Sequence, residues 1–126
     1  RILGVTAVDI STRKGDIADW GILGLGELPG TACVISRFRC LRRARGVEHA
    51  RERLAKVAVH EIGHTLGLPH CPTRGCLMED AGGKVVTLDR EHDFCPRCRA
   101  SSAGKGFRLL DLAPPWGRPK TWLKGP

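Results

Sequence analysis

The sequence predicts an α+β fold, and three observations carry that prediction. Runs rich in β-branched and apolar residues, punctuated by Gly and Pro, fill the first 39 residues. A helical spacing of apolar residues then extends from Val47 to Leu66. Beyond it the chain turns to glycines and to two cysteine pairs, as expected of a small subdomain held by staples rather than by a large core. At 126 residues the chain suits a single domain, 1–126, with one modest core.

Taken in order, Ile2 to Ile10 (ILGVTAVDI) reads as a buried strand ending at Ser11. Ser11 to Asp19 contains STRKGD and reads as a polar turn or loop. Trp20 to Glu27 (WGILGLGE) is apolar but interrupted by Gly21, Gly24 and Gly26, and glycine inside a strand marks a bulge or the close approach of another backbone. Pro29-Gly30 is a turn, and Thr31 to Arg39 is the next strand. Cys33 and Cys40 stand at an odd separation, so a continuous strand faces them opposite ways and too far apart to bridge. Both read as core or incidental thiols. Leu41 to Gly46 is a basic connector whose Arg42, Arg43 and Arg45 form a solvated face.

In the helix, Val47, Leu54, Val57, Ala58, Ile62 and Leu66 approximate one apolar stripe. Glu48, Arg51, Glu52 and Arg53 are expected in its solvated first half, with His49 exposed among them. Asp80 to Lys84 reads as a loop around Gly82-Gly83. Thr87 is the expected N-cap of a short helix over Leu88 to Phe94 that delivers the CPRC pair, with Asp89 in its first turn. Ser101 to Gly106 is small and polar, and Phe107 to Leu112 is a short apolar run. Repeated Pro and Gly then break regular structure, while Trp116 and Trp122 suggest that the tail packs against something.

The chemistry concentrates in HEIGHTLGLPHCPTRGC, residues 60–76. On a helix His60 and His64 lie one turn apart on one face and can hold one metal ion. Glu61 lies about 100° around the helix, placed to reach a water on that metal without ligating it. Gly67 can take positive φ, end the helix and swing the chain so that His70 returns as third ligand. Three imidazoles leave a tetrahedral position open, as a catalytic zinc requires. The plainer alternative is a surface helix with incidental histidines, although each added residue of the long pattern has its own mechanical job. Downstream, Cys71, Cys76, Cys95 and Cys98 form a four-thiolate set suited to a closed structural zinc. Disulfides among these cysteines are the competing reading, and His92 is a conceivable substitute ligand that is expected instead on a helix surface.

The stretch from His60 to Cys98 resembles the metzincin clan of zinc peptidases and, within it, the archaemetzincin family. The pattern runs HExxHxxGxxHC, then Cys76 and Met78, then the Cys95–Cys98 pair, and it covers about a third of the chain. Sixteen residues, 79–94, separate Met78 from Cys95, one fewer than in the family pattern. The resemblance implies a metzincin-like zincin domain with a small twisted mixed sheet, a long active-site helix and a zinc-stapled C-terminal subdomain. It implies an upper subdomain over 1–67, a lower one over 68–98 with the third ligand and the four-cysteine site, and a tail over 99–126. It further implies two zinc ions, Glu61 as the proton-transferring base, Met78 packed beneath the catalytic metal without ligating it, and a peptide or protein substrate. By the resemblance, the segment Trp20 to Glu27 becomes the candidate edge strand for extended substrate, with an ordinary glycine-rich strand or hairpin arm as the alternative. Fifty-nine residues precede His60, which is short for such an upper subdomain.

Composition narrows the surroundings. No stretch approaches the ~20 apolar residues of a membrane span, and nothing reads as an export signal, so a cytoplasmic location is expected. The absence of Asn and Gln beside 27% charged residues suggests a hot environment. The net charge of +8 would suit nucleic acid, but the basic residues are dispersed and few aromatics interleave with them. Two rivals to a peptidase stand beside the main reading: a zinc protein with a vestigial or substrate-restricted site, and a basic zinc-ribbon-like nucleic-acid-binding module. Oligomeric state is not readable from the chain.

Overall fold

The computed structural model describes residues 1–107. Five strands precede the long helix: β1 Ile2–Thr6, β2 Ile10–Lys14, β3 Ile17–Ile22, β4 Gly24–Gly26 and β5 Ala32–Ser36. A 3₁₀ turn at Arg39–Leu41 leads into α1, Val47–Thr65. A second 3₁₀ segment, Val85–Arg90, and the helix α2, Pro96–Gly104, follow. The architecture is mixed α+β, as expected.

The strands form two sheets. In the first, β5 is central, pairing in parallel with β1 (Ile2 opposite Ala32) and antiparallel with β4 (Leu25 opposite Val34). The second is the β2–β3 hairpin, with an irregularity between Thr12 and Lys14. This corrects two expectations. The strand beginning at Ile2 ends at Thr6 and is largely exposed, and the segment taken as a polar loop, 11–19, supplies β2 and half of β3. The polar strand β2 lacks the apolar run used to find strands, and STRKGD hides it in front of a Gly15 turn with φ +58°.

The buried apolar residues form two cores. The upper one gathers Leu23, Ile35, Cys40, Val57 and Leu88, with Leu54, Ala58, Ala81 and Val85 against it. Each fully buried aliphatic side chain there contributes about 1.5–3 kcal/mol. The lower one gathers Leu68, Cys71, Cys76, Met78, Cys95 and Cys98, with Phe94 against it.

The buried face of α1 is only partly the expected apolar stripe: Val57 is buried and Leu54 and Ala58 pack beside it. Val47 and Ile62 are exposed, whereas Arg53, Lys56, His60, Glu61 and His64 are buried. Arg53, expected in solvent, is 2% exposed. Its guanidinium makes two 2.8 Å bonds to Asp89 and reaches the carbonyls of Cys40 (3.2 Å) and Arg42 (2.8 Å). Lys56 donates to the Leu88 carbonyl at 2.8 Å and pairs with Glu52 at 2.7 Å. Burial of these charges is tolerable because their donors are met. The ring of His49 is also covered, lying 2.6 Å from Asp89.

The expected helix over Leu88 to Phe94 is absent. The 3₁₀ segment ends at Arg90, and the CPRC pair opens α2 itself, with Cys95 at the N-cap and Pro96 in the first turn. Proline there gives up an N–H that has no helical partner in any case. Ser101 to Gly104 therefore finishes a helix, and the expected start of the tail at 99 falls inside α2. The run beyond Phe107, with Trp116 and Trp122, lies outside the described residues.

Candidate functional site

Helix α1 brings His60 and His64 to one face, and its end delivers the third imidazole. The N–H of Gly67 donates to the His64 carbonyl at 2.8 Å, that of Leu68 donates to Gly63 at 3.0 Å, and Gly67 takes φ +91°. A side chain would strain that turn, so the glycine does what the sequence predicted of it. The chain then doubles back to His70. Ring centroids stand 4.6 Å apart for His60 and His64, 4.9 Å for His64 and His70, and 5.3 Å for His60 and His70. One donor nitrogen from each ring lies within 4.8 Å of the others.

The imidazoles are oriented from behind. Nδ1 of His60 donates to the Leu77 carbonyl and Nδ1 of His64 to the Leu68 carbonyl, both at 2.7 Å. A carbonyl only accepts, so each Nδ1 carries the proton and each Nε2 keeps its lone pair for a metal. Desolvation, with repulsion from His64, pushes His60 down to about 4, and desolvation likewise lowers His64. Neutral imidazoles are the form that ligates. His70 is more exposed, with Nδ1 3.7 Å from the Asp80 carboxylate. The donor set therefore fits a three-histidine zinc.

Glu61 points to the strand side of the same cleft. Burial pushes its carboxyl up to about 7, opposed by the N–H of Gly26 that donates to it. The glycines of β4 explain the approach. A Cβ on Gly26 would lie 2.7 Å from the Glu61 carbonyl oxygen, and one on Gly24 2.8 Å from Glu61 Cγ. Any larger residue would push this edge strand off α1.

Met78 is fully buried against α1. A Cβ on Gly63 would come 2.5 Å from its sulfur, so the glycine between the two helical ligands is the space into which Met78 packs. The same Met78 belongs to the lower core with the four cysteines.

Cys71, Cys76, Cys95 and Cys98 are gathered with their sulfurs within 4.8 Å of one another. The Cys71–Cys95 and Cys76–Cys98 sulfurs are each 3.7 Å apart, far beyond a disulfide bond, and all six cysteines are free. Cys76 Sγ accepts N–H groups from Met78 (3.5 Å) and Cys95 (3.4 Å). Its hydrogen bond with Cys98 pulls Cys76 down and pushes Cys98 up. This is a set suited to a closed tetrahedral metal. His92 is not part of it: it lies in the loop before α2, its backbone N–H donating to the Gly75 carbonyl at 2.9 Å.

The histidines and Glu61 line a cleft of about 360 Å³ between the β2–β3 hairpin, β4 and the segment 80–83. Thr12, Arg13, Lys14 and Trp20 form its outer wall, the ammonium of Lys14 lying 4.5 Å from the Trp20 ring centroid. Leu88 and Glu91 line it as well. Sequence reasoning missed the hairpin wall and Glu91. The hairpin was hidden by the polarity of β2, and nothing in the spacing of Glu91 signals burial.

Among the described residues, no helix is long and apolar enough to cross a membrane. Comparison with known proteins places this constellation in a family. The profile of peptidase family M54 matches residues 1–102. The archaemetzincin of Methanopyrus kandleri is 34% identical over 98 residues, covering 78% of this chain and 53% of that protein. Its crystal structure superposes with a TM-score of 0.70 over 83% of this chain and 55% of that one, at 33% identity. The archaemetzincin of Archaeoglobus fulgidus is 40% identical over 97 residues, 76% of this chain and 56% of that protein. A zinc-dependent peptidase from Methanocorpusculum labreanum superposes with a TM-score of 0.69 at 30% identity, covering 81% of this chain and 53% of that one. The chain thus spans about half the length of the curated relatives it matches. With the histidine triad, the buried glutamate, the Met78 packing and the four-cysteine group all inside the matched residues, the chain belongs to peptidase family M54, the archaemetzincins.

Proposed function

We propose that this chain is a zinc-dependent metallopeptidase that hydrolyses peptide bonds. His60, His64 and His70 hold the catalytic zinc, and Cys71, Cys76, Cys95 and Cys98 hold a second, structural zinc. The chain is read as one peptidase domain, with an upper part over 1–67, a lower part over 68–98 and a tail from 99. The observation that carries the reading is the pairing of two buried imidazoles, each with Nδ1 fixed by a carbonyl, with a buried glutamate one residue along the helix.

Zinc held by His60, His64 and His70 would supply Lewis acidity toward the scissile carbonyl and a water. The protein's own residues do the remainder. Leu77 and Leu68 hold the two helical imidazoles in their ligating tautomer. Glu61 takes the proton from the attacking water and returns it to the departing amine. Gly26 orients that carboxylate through its N–H. Strand β4 is an edge strand of its sheet beside the cleft, so an extended peptide can pair along it and be aligned over Glu61. The chain has no tyrosine, so backbone N–H groups or a cation must supplement the metal at the developing oxyanion.

The test is cleavage of a mixed peptide library by zinc-loaded protein, before and after chelation. Cleavage that disappears on chelation and returns with zinc supports the reading. Absence of cleavage with zinc shown to be bound at the histidines would favour a binding protein with a vestigial site.

A further inference from the structure

The three imidazoles of the histidine site are not held alike. Nδ1 of His60 donates to the Leu77 carbonyl and Nδ1 of His64 to the Leu68 carbonyl, each at 2.7 Å. Among the described residues, no carbonyl accepts from the ring of His70. Its Nδ1 faces Oδ2 of Asp80 instead, at 3.7 Å, an ion-pair contact just beyond hydrogen-bond length.

The backbone brings these two residues together. The Cys71 N–H donates to the Met78 carbonyl at 2.8 Å, and Cys71 and Glu79 form a parallel bridge, so the chain at His70 runs beside the chain at Asp80. The two oxygens of Asp80 then have separate tasks. Oδ1 accepts the Gly82 N–H at 2.9 Å, in a turn where Gly82 takes φ +57°. Oδ2 is the oxygen left toward His70. Lys14 and His60 act on this carboxylate from farther away, and the Lys14 ammonium stands over the Trp20 ring at 4.5 Å. Among the described residues, His70 is the only ion-pair partner of Asp80. Asp80 is not one of the residues whose ligand atoms gather within 4.8 Å, so it stands behind a ligand rather than among the ligands. A carboxylate in that place fixes the tautomer of an imidazole and makes the ring a stronger donor to a metal.

We propose that Asp80 is the positioning residue of the third histidine: it orients His70, keeps the proton on Nδ1 and raises the affinity of the site for zinc. The inference rests on reading the three histidines as zinc ligands. The test uses the full chain with its cysteine group loaded, and zinc alone as the probe. Affinity at the histidines is measured by competition with a chromophoric chelator for the parent and for Asp80→Asn. That substitution removes the charge, while the amide oxygen can still accept the Gly82 N–H and keep the turn. The expected result is zinc affinity lower by ~10-fold or more. Tm measured with the histidine site empty should be unchanged. Nitrogen NMR of the histidine rings at saturating zinc adds a readout that a merely structural role would not move. The His70 resonances should shift, while those of His60 and His64, held by carbonyls, stay in place.

Parental affinity in Asp80→Asn, a loss of affinity matched by a fall in Tm, or ring shifts shared by all three histidines would each overturn the proposal. Failure of the parent itself to bind zinc at the histidines would remove the zinc reading and the proposal with it. Parental affinity in Asp80→Asn removes the role of Asp80 alone, so the two failures are distinguishable.

Discussion

Met78 Sδ lies where a side chain of residue 63 would begin: a Cβ on Gly63 would stand 2.5 Å from the sulfur. One contact thereby joins the helix that carries His60 and His64 to the core that carries the four cysteines. Met78 is fully buried, so its thioether cannot swing aside at low cost. Gly63→Ala is predicted to destabilise the fold by about 1–3 kcal/mol through overpacking. Thermal unfolding should show a drop in Tm of roughly 4–12 °C, and zinc affinity at the histidines should weaken with it. An alanine variant as stable as the parent would show that the two layers are not in contact.

Gly26 fits between its own strand and Glu61 with no room for a methyl group, its Cβ position being 2.7 Å from the Glu61 carbonyl oxygen and 3.1 Å from Oε2. Gly26→Ala should displace β4 or the Glu61 carboxylate. Peptide cleavage is expected to fall by ~10-fold or more, since small misplacements at a reacting centre are expensive. Zinc content, read by elemental analysis, should stay at the parental value. Parental cleavage rates would exclude β4 from substrate alignment.

The Arg53–Asp89 pair sets an acid limit to stability. Hydrogen bonding from Arg53 holds Asp89 down at about 2 against the opposing desolvation, with a further contribution from His49. The folded value is below the unfolded one, so the stabilisation is fully present above the unfolded value near 4. It is lost as pH falls from there through about 2. With partial solvent screening the contribution is about 1–2 kcal/mol. Denaturant midpoints measured across that window should decline for the parent. They should decline less for Asp89→Asn, which is predicted to be weaker at neutral pH and to converge with the parent in acid. Parallel curves for the two proteins would contradict this account.

His70 and Cys71 are adjacent, and the Cys71 N–H donates to the Met78 carbonyl at 2.8 Å. A proposed ligand of the histidine site is thus tied to a proposed ligand of the cysteine site. Replacing Cys95 and Cys98 together by serine should loosen this segment and lower zinc affinity at the histidines by ~10-fold or more. Competition with a chromophoric chelator reads the two affinities separately. An unchanged histidine-site affinity would show that the sites are independent.

The sequence exposed the ligand groups because metal chemistry imposes spacing that can be read locally. His60, His64 and Gly67 follow from one helix and its end, and the four cysteines do gather as expected. The helix itself was foreseen to within a residue, Val47 to Leu66 against Val47–Thr65. What could not be read depends on partners distant in the chain. Arg53 looks solvated until Asp89 and two carbonyls meet it across the fold. The glycines of WGILGLGE signalled a close approach, but not that Glu61 was the group approached. The β2–β3 hairpin was missed because β2, ISTRK, is polar and lies one glycine turn before Ile17.

The central claim is that Glu61 serves as the proton-transferring group of a zinc peptidase. The direct measurement is kcat/KM for a cleaved library peptide with zinc-loaded parent and Glu61→Gln, zinc content being determined for both. The account predicts equal zinc and a loss of at least ~10²-fold in Glu61→Gln, in the range of general acid–base catalysis. Equal zinc with equal kcat/KM would contradict it and move the chemistry away from Glu61.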